Sequence, residues 1–261
     1  MTSVSYSVDN GTTWVDTAVE SNNQTITTPT IAQGDKVLWK GEGSKFSSFS
    51  STGNFNVMGN IMSLLYGDNF ENQTSFPNAN HQPFQQLFYN VTTLVSAENL
   101  VLPATTLCRI CYQHMFRGCT SLTTPPSTLP AQTLVDSCYG GMFMGCSSLT
   151  TAPTIEATTV AQSCCVQMFQ DCTSLTTGPT LKAAELNGGG CYQRFFSGCT
   201  NLNSITMLAT NITANNCLLH WVNGVAASGT FTKAASMTTL PTATSDNSYQ
   251  GIPDGWTVVD A

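Results

Sequence analysis

The chain repeats itself. The segments "CYQHMFRGCTSLTTPP", "CYGGMFMGCSSLTTAP", "CCVQMFQDCTSLTTGP" and "CYQRFFSGCTNLNSIT" begin at Cys111, Cys138, Cys164 and Cys191, at spacings of 27, 26 and 27 residues. A degenerate fifth copy begins at Cys217, 26 residues on, with Trp221, Val222 and Gly224 in register. Upstream, "FQQLFYNVTTL" sets Phe84, Leu87, Phe88 and Leu94 in register with Tyr112, Met115, Phe116 and Leu122. The array therefore runs from about residue 84 to 228. Self-similarity at a period between about 20 and 50 residues restricts a chain to stacked architectures, in which each unit buries its apolar face only against its neighbours.

Positions that stay fixed from copy to copy face a shared environment, so they predict the core. They are Cys111/Cys138/Cys164/Cys191/Cys217, Met115/Met142/Met168/Phe195/Trp221, Phe116/Phe143/Phe169/Phe196, Cys119/Cys146/Cys172/Cys199 and Leu122/Leu149/Leu175/Leu202. Within one copy, Leu134, Cys138 and Met142 recur every four residues, as do Tyr139 and Phe143, and this spacing predicts one face of a short helix. Thr133 to Asp136 and Thr159 to Gln162 match the capping box expected at a helix start. Gly118, Gly145, Gly198 and Gly224, with Asp171 in the third copy, stand where a left-handed residue would end it. The following Ser-Leu-Thr-Thr, closed by Pro126, Pro153 or Pro179, predicts a short strand stopped by proline. One helical turn and one strand per unit make an α/β solenoid.

The flanks read as small β-rich caps, which an open-ended stack needs to cover its terminal core. In residues 1–58, Val4, Tyr6 and Val8 alternate before Asn10-Gly11 and are followed by Trp14 and Val15, a hairpin pattern with a favoured two-residue turn. "KVLWKG" reads as a further strand. Residues 59–83 connect this cap to the array. In residues 229–261, Thr230 to Thr232 and Trp256 to Val259 read as strands, with Pro253-Asp254-Gly255 as a turn.

Eleven cysteines invite a chemical reading. Nine of them fall in the two fixed apolar columns, where a thiol packs as a small hydrophobe, and the expectation is of buried, reduced ladders. Cys108 and Cys111 form a CxxC, but it lies in the repeat register without a thioredoxin-like pattern around it and reads as chance. Cys111, His114 and Cys119 lack a fourth zinc ligand, and the counterparts of His114 are Gly141, Gln167 and Arg194. A nucleophilic site needs a base, and only His81, His114 and His220 are present. No phosphate loop and no nucleophile elbow occurs. The expectation is of a protein that is not an enzyme and takes no cofactor or metal.

Charged residues make up only 9%, and the formal net charge is -7 with 8 Lys+Arg, which provides no basic footprint for nucleic acid. There is no apolar run long enough to span a bilayer and no signal-peptide pattern at the start of the chain as given. No membrane insertion is expected.

The columns that vary are left for a ligand. They hold Gln113, Gly140, Val166 and Gln193, then His114, Gly141, Gln167 and Arg194, then Arg117, Met144, Gln170 and Ser197, all expected to face outward from the helix side. On the strand side, Thr123/Thr150/Thr176 and Thr124/Thr151/Thr177 form hydroxyl rows that would suit a glycan or simply a regular ladder. The ligand-binding candidates are thus Gln113, His114, Arg117, Met144, Gln167, Gln170, Gln193 and Arg194 with Thr124, Thr151 and Thr177.

The repeated "MF-x-GC" and "SLTT" phrases, "GCTNLNSI" and Leu102 to Leu107 resemble the BspA-like leucine-rich repeats of Bacteroidales and of their phages. "GNIMSLLYGDNF", "HWVNGVAASGTFTKAASM" and "GIPDGWTV" resemble that family's flanks. Cys165 in place of an aromatic and the extra residue in "LNGGG" depart from the pattern. The resemblance implies a right-handed leucine-rich-repeat-type coil. It also implies a surface-displayed adhesion module, extracellular or on a cell surface, that binds a protein or glycan on a host or bacterial surface. A structural part of a bacteriophage virion, such as a decoration, fibre or host-attachment protein held by other virion proteins, is the alternative.

Overall fold

The computed structural model describes residues 2–19, 25–43, 46, 48–78 and 82–261. His81 lies outside them. The structure is mostly sheet, with no closed barrel among the described strands. No helix among the described residues is long and apolar enough to cross a membrane.

β1 (Thr2–Ser7), β2 (Val15–Val19) and β3 (Leu38–Gly41) form an antiparallel sheet in the order β2-β1-β3. "KVLWKG" supplies β3 as expected. The hairpin pairs Tyr6 with Val15, so its connection is longer than the two-residue turn that Asn10-Gly11 suggests. The Asp9 carboxylate organises that loop by accepting from the Thr13 amide and hydroxyl and the Ser7 hydroxyl. These bonds, the Thr13 hydroxyl first, hold its carboxyl at about 2.

From β4 (Phe55–Asn60) the chain passes through α1 (Ser63–Tyr66), a single turn, and a 3-10 turn at Gly67–Asn69. β4 pairs in parallel with β5 (Leu94–Val101). The following strands are short: β6 (Thr128–Leu129), β7 (Thr154–Ile155), β8 (Thr177–Leu181), β9 (Ser204–Met207) and β10 (Thr230–Lys233). Beyond them lie β11 (Thr242–Ala243), β12 (Ile252–Pro253) and β13 (Thr257–Asp260). β6 pairs with β7, and β8, β9, β10 and β13 form one parallel sheet. Thr230 to Lys233 and Thr257 to Asp260 thus extend the same parallel ladder, and Trp256 N–H closes the expected turn on Pro253 O at 3.3 Å.

Two sequence expectations need correction. In two copies the Leu-Thr-Thr segment is not the strand but turns a corner, and the strand follows Pro126 or Pro153; in the third Thr177 already opens β8, which contains Pro179 and does not end before it.

The period-four segments are not helices either. Gln113, Met115, Arg117 and Cys119 amides donate three residues back, to Ile110, Tyr112, His114 and Phe116, at 3.1–3.2 Å. The alternate amides of Tyr112, His114, Phe116 and Gly118 donate instead to Cys138, Gly140, Met142 and Met144 of the next repeat, at 2.8–3.0 Å. Every fourth residue is left-handed: Ile110 at φ 65°, His114 at 57° and Gly118 at 75°, with the same spacing at Ser137, Gly141 and Gly145 and in each later copy. A chain of β-turns has the same period of four as a loosely read helix. It wins here because it frees half the amides for bonds between repeats. The capping-box carboxylate of Asp136 accordingly serves Arg109 of the preceding repeat at 2.7 Å.

The fixed columns are buried, and ring stacking follows the same order. Phe88–Phe116, Phe116–Phe143 and Phe143–Phe169 centroids are each 5.4 Å apart, with Phe169–Phe196 at 6.0 Å. Phe49 of the N-terminal unit continues this row onto Phe88, and Phe46 covers Phe84, which stacks on Tyr112. At the other end Trp221 adjoins Phe196 and donates to Gly251 O at 2.8 Å. One core cluster runs from Val4 to Trp256.

Each repeat also buries residues that the fixed-column reading passed over. Leu129/Ile155/Leu181/Met207 and Ala131/Ala157/Ala183/Ala209 are both buried, and both recur every 26 residues.

Candidate functional site

The turns position the variable side chains. One variable column, His114, Gly141, Gln167 and Arg194, is left-handed, while Gln113, Arg117, Met144, Gln170 and Gln193 occupy other turn positions beside the buried aromatic and thiol groups. Gln113, His114, Arg117, Met144, Gln167, Gln170 and Gln193 are half-buried and Arg194 is exposed. Gly140 and Gly141 of the same columns are buried.

These side chains touch along the stack. Gln85 Nε2 donates to Gln113 Oε1 at 3.1 Å across one repeat step. The His114 ring lies over Gly141, where an added Cβ would meet its Cδ2 at 2.4 Å. Burial and then the Arg117 guanidinium hold His114 below its ordinary value, so its imidazole is biased to the neutral form. Arg117 stands over the Tyr89 ring at 5.7 Å. Gln167 donates to Gln170 at 2.8 Å, and Gln170 to Asp171 at 3.2 Å. Arg109, Lys182 and Lys233 each pair with a carboxylate one repeat away, Asp136, Glu156 and Asp260.

The Thr rows have a different role from the one expected. The Thr123 hydroxyl donates to Val95 O at 3.1 Å, and the Thr150 hydroxyl to Thr123 O at 3.2 Å, so this row ties repeat to repeat. Thr124 bridges Ser96, Thr151 is exposed at the corner, and Thr177 opens β8.

A second hydroxyl row lies in the next corner of the repeat, where Thr106 bridges Ser75 and Thr133 bridges Thr159. All three threonines are exposed, as are Thr105 and Thr158 beside them. Their spacings of 27 and 26 were the available signal. Between the first two lies an open groove of about 410 Å³, lined by Thr105, Thr106, Leu107, Gln132, Thr133 and Val135 with Pro130. The lining brings three hydroxyls and the Gln132 amide beside Leu107, Pro130 and Val135.

All eleven cysteines are buried. The two ladders differ. In the second, Cys119, Cys146, Cys172 and Cys199 thiols donate to Phe88, Phe116, Phe143 and Phe169 carbonyls of the preceding repeat at 3.0–3.1 Å. In the first, Cys138, Cys164 and Cys191 thiols approach the carbonyl of the next cysteine only at 3.9–4.0 Å. Burial pushes the Cys119 and Cys199 thiols up to about 12, which suppresses the nucleophilic thiolate.

His114 and His220 stand in one column on different repeats, and His220 faces Tyr249 at 6.3 Å. Among the described residues no group of three or more His, Cys, Asp and Glu is placed to hold a metal ion. No family model matches the chain, and no similar curated protein or solved structure was found.

Proposed function

We propose that the repeats wind as a right-handed solenoid of the BspA-like kind and that the chain is a non-enzymatic binding module, displayed on a cell surface or a virion, for a protein or glycan ligand. The observation that carries this reading is the division of labour along the turn stack. The backbone geometry repeats from copy to copy, the inward columns hold nearly one residue type each, and the outward columns change at every step. A regular lattice with interchangeable outward groups is the arrangement that repeat proteins use for recognition.

The outward groups are amides, hydroxyls and a few cations, with Arg194 exposed and half-buried Arg117 set against an aromatic ring and not a carboxylate. Such a surface recognises by hydrogen bonding and stacking. It matches a glycan or an uncharged peptide segment better than an extended polyanion.

Binding of the intact chain to glycan arrays and to whole bacterial or host cells tests the reading. Saturable binding that falls at least about ten-fold in a Gln167→Ala/Arg194→Ala variant of unchanged thermal stability supports it. The absence of saturable binding to arrays and cells alike removes it.

A further inference from the structure

The CxxC at the start of the first full repeat is the one place where the repeat lattice sets two thiols across a single turn. The Cys111 amide donates to Cys108 O at 3.3 Å, closing a four-residue turn. Later repeats make the same turn, from Cys138, Cys164, Cys191 and Cys217 amides to Val135, Ala161, Gly188 and Ala214 carbonyls, at 3.1–3.4 Å. The position opposite the cysteine is therefore a side-chain position like any other, filled by Val, Ala, Gly and Ala elsewhere and by a thiol once. A β-turn holds its end Cα atoms within about 7 Å, which overlaps the roughly 4.4–6.8 Å that a disulfide requires. Of the other cysteines only the adjacent Cys164 and Cys165 interact locally, and as chain neighbours they do not span a turn; the remaining thiols lie in columns running from repeat to repeat.

Three further observations set this pair apart. Cys108 is 4% exposed, while Cys217 is 2% and the other nine are fully enclosed. A hydrogen bond from the Cys111 thiol, outweighing burial, holds Cys108 below its ordinary value; burial instead pushes nine of the others up. The turn between them places a β-branched residue, Ile110, at φ 65°, where later copies have Ser137, Ser163, Gly190 and Asn216. A β-branched residue is poorly suited to that conformation, so this turn opens at lower cost than its counterparts.

We infer that Cys108 and Cys111 form a redox-active dithiol that small-molecule disulfides oxidise to an intrachain disulfide while the two cysteine ladders stay reduced. The Cys108 thiol loses its proton to solvent, and the thiolate attacks one sulfur of the disulfide RSSR. The S–S bond breaks, and RS⁻ leaves and takes up a proton. Cys111 then loses its proton and attacks the Cys108 sulfur, displacing the second RS⁻. Two protein thiols are oxidised by two electrons in all, and one RSSR is reduced to two RSH. The product fastens the opening turn of the first full repeat.

The experiment uses the full chain, reduced under argon and then treated with oxidised glutathione under native conditions, with alkylation and peptide mass mapping as readout. The expected result is loss of two hydrogen atoms from the peptide carrying Cys108 and Cys111, at least about ten-fold faster than modification of any other cysteine, and reversal by dithiothreitol. In Cys111→Ala a stable glutathione adduct should accumulate at Cys108. Cys108→Ala, which installs the residue found at Ala161 and Ala214, should abolish the fast phase. Equal reaction of all eleven cysteines, or a bond between Cys111 and Cys138, overturns the inference. Because the wild-type map alone decides between these outcomes, a variant that failed to fold would not shelter it.

Discussion

The turn side and the strand side of each repeat are held by the same kind of bond and tolerate variation very differently. On the turn side, amides alternate between closing their own turn and reaching the next repeat, so no residue can be added without breaking both patterns. The strand side varies from two residues in β6 and β7 to eight in β5 and asks only that inward positions such as Leu129, Ile155 and Leu181 stay apolar. Rigidity is thus concentrated where the chain is least extended. Regular sheet, usually the stiff part of a repeat, is here the permissive part.

The largest effect that would break this comparison is at the centre of the ring stack. Phe143→Ala removes a wholly buried ring that meets Phe116 and Phe169, each at 5.4 Å. It should cost about 3–5 kcal/mol in urea unfolding. A loss below about 1 kcal/mol would mean that the turn side does not hold the array together.

A middle-sized test concerns Gly141, at φ 56° with the His114 ring where a Cβ would stand. Gly141→Ala should destabilise by about 1–3 kcal/mol. In a His114→Ala background only the backbone contribution should remain, giving a coupling of about 0.5–3 kcal/mol in the double-mutant cycle. Additive losses would show that the two sites do not press on one another.

The smallest expected effect is on the outer face of the strand side. Thr128→Ala, at an exposed position of β6, should shift stability by no more than about 0.5 kcal/mol. A larger change in thermal unfolding would make the strand side as exacting as the turn side.

Which parts of this were legible in the sequence follows from what each kind of pattern encodes. Columns of identical residues report burial, and Met142, Phe143, Cys146 and Leu149 are fully enclosed as their constancy implies. A recurrence every four residues reports only that a face repeats. A helix and a string of β-turns share it, and Ser137, Gly141 and Gly145 at positive φ belong to the second. Gly118 and its counterparts are left-handed, as glycine at that spacing predicts, but they belong to a β-turn and not to the end of a helix.

Proline misled for a related reason. Pro179 sits inside β8 because β8 is the edge strand of its sheet and its pairing with β9 shifts register between Thr177 and Thr180, so proline does not mark the strand's end. Among the candidate site residues, the turn positions of Gln113, Gln167 and Arg194 were legible as outward-facing columns. The Thr106/Thr133/Thr159 row was hidden because its neighbours change identity, leaving Glu185 and Asn211 to continue it.

The even spacing of Phe116, Phe143 and Phe169 bears on how such a chain can change over generations. The rings on either side of Phe143 meet it at the same 5.4 Å and within 9° of parallel. Deleting residues 138–163 from the gene would bring Ser137 directly before Cys164 and offer Phe116 a partner of the same shape, so unequal recombination has a seam to follow. Heredity can then adjust the reach of the molecule in whole units, as one shortens a chain by removing a link, with both end pieces untouched.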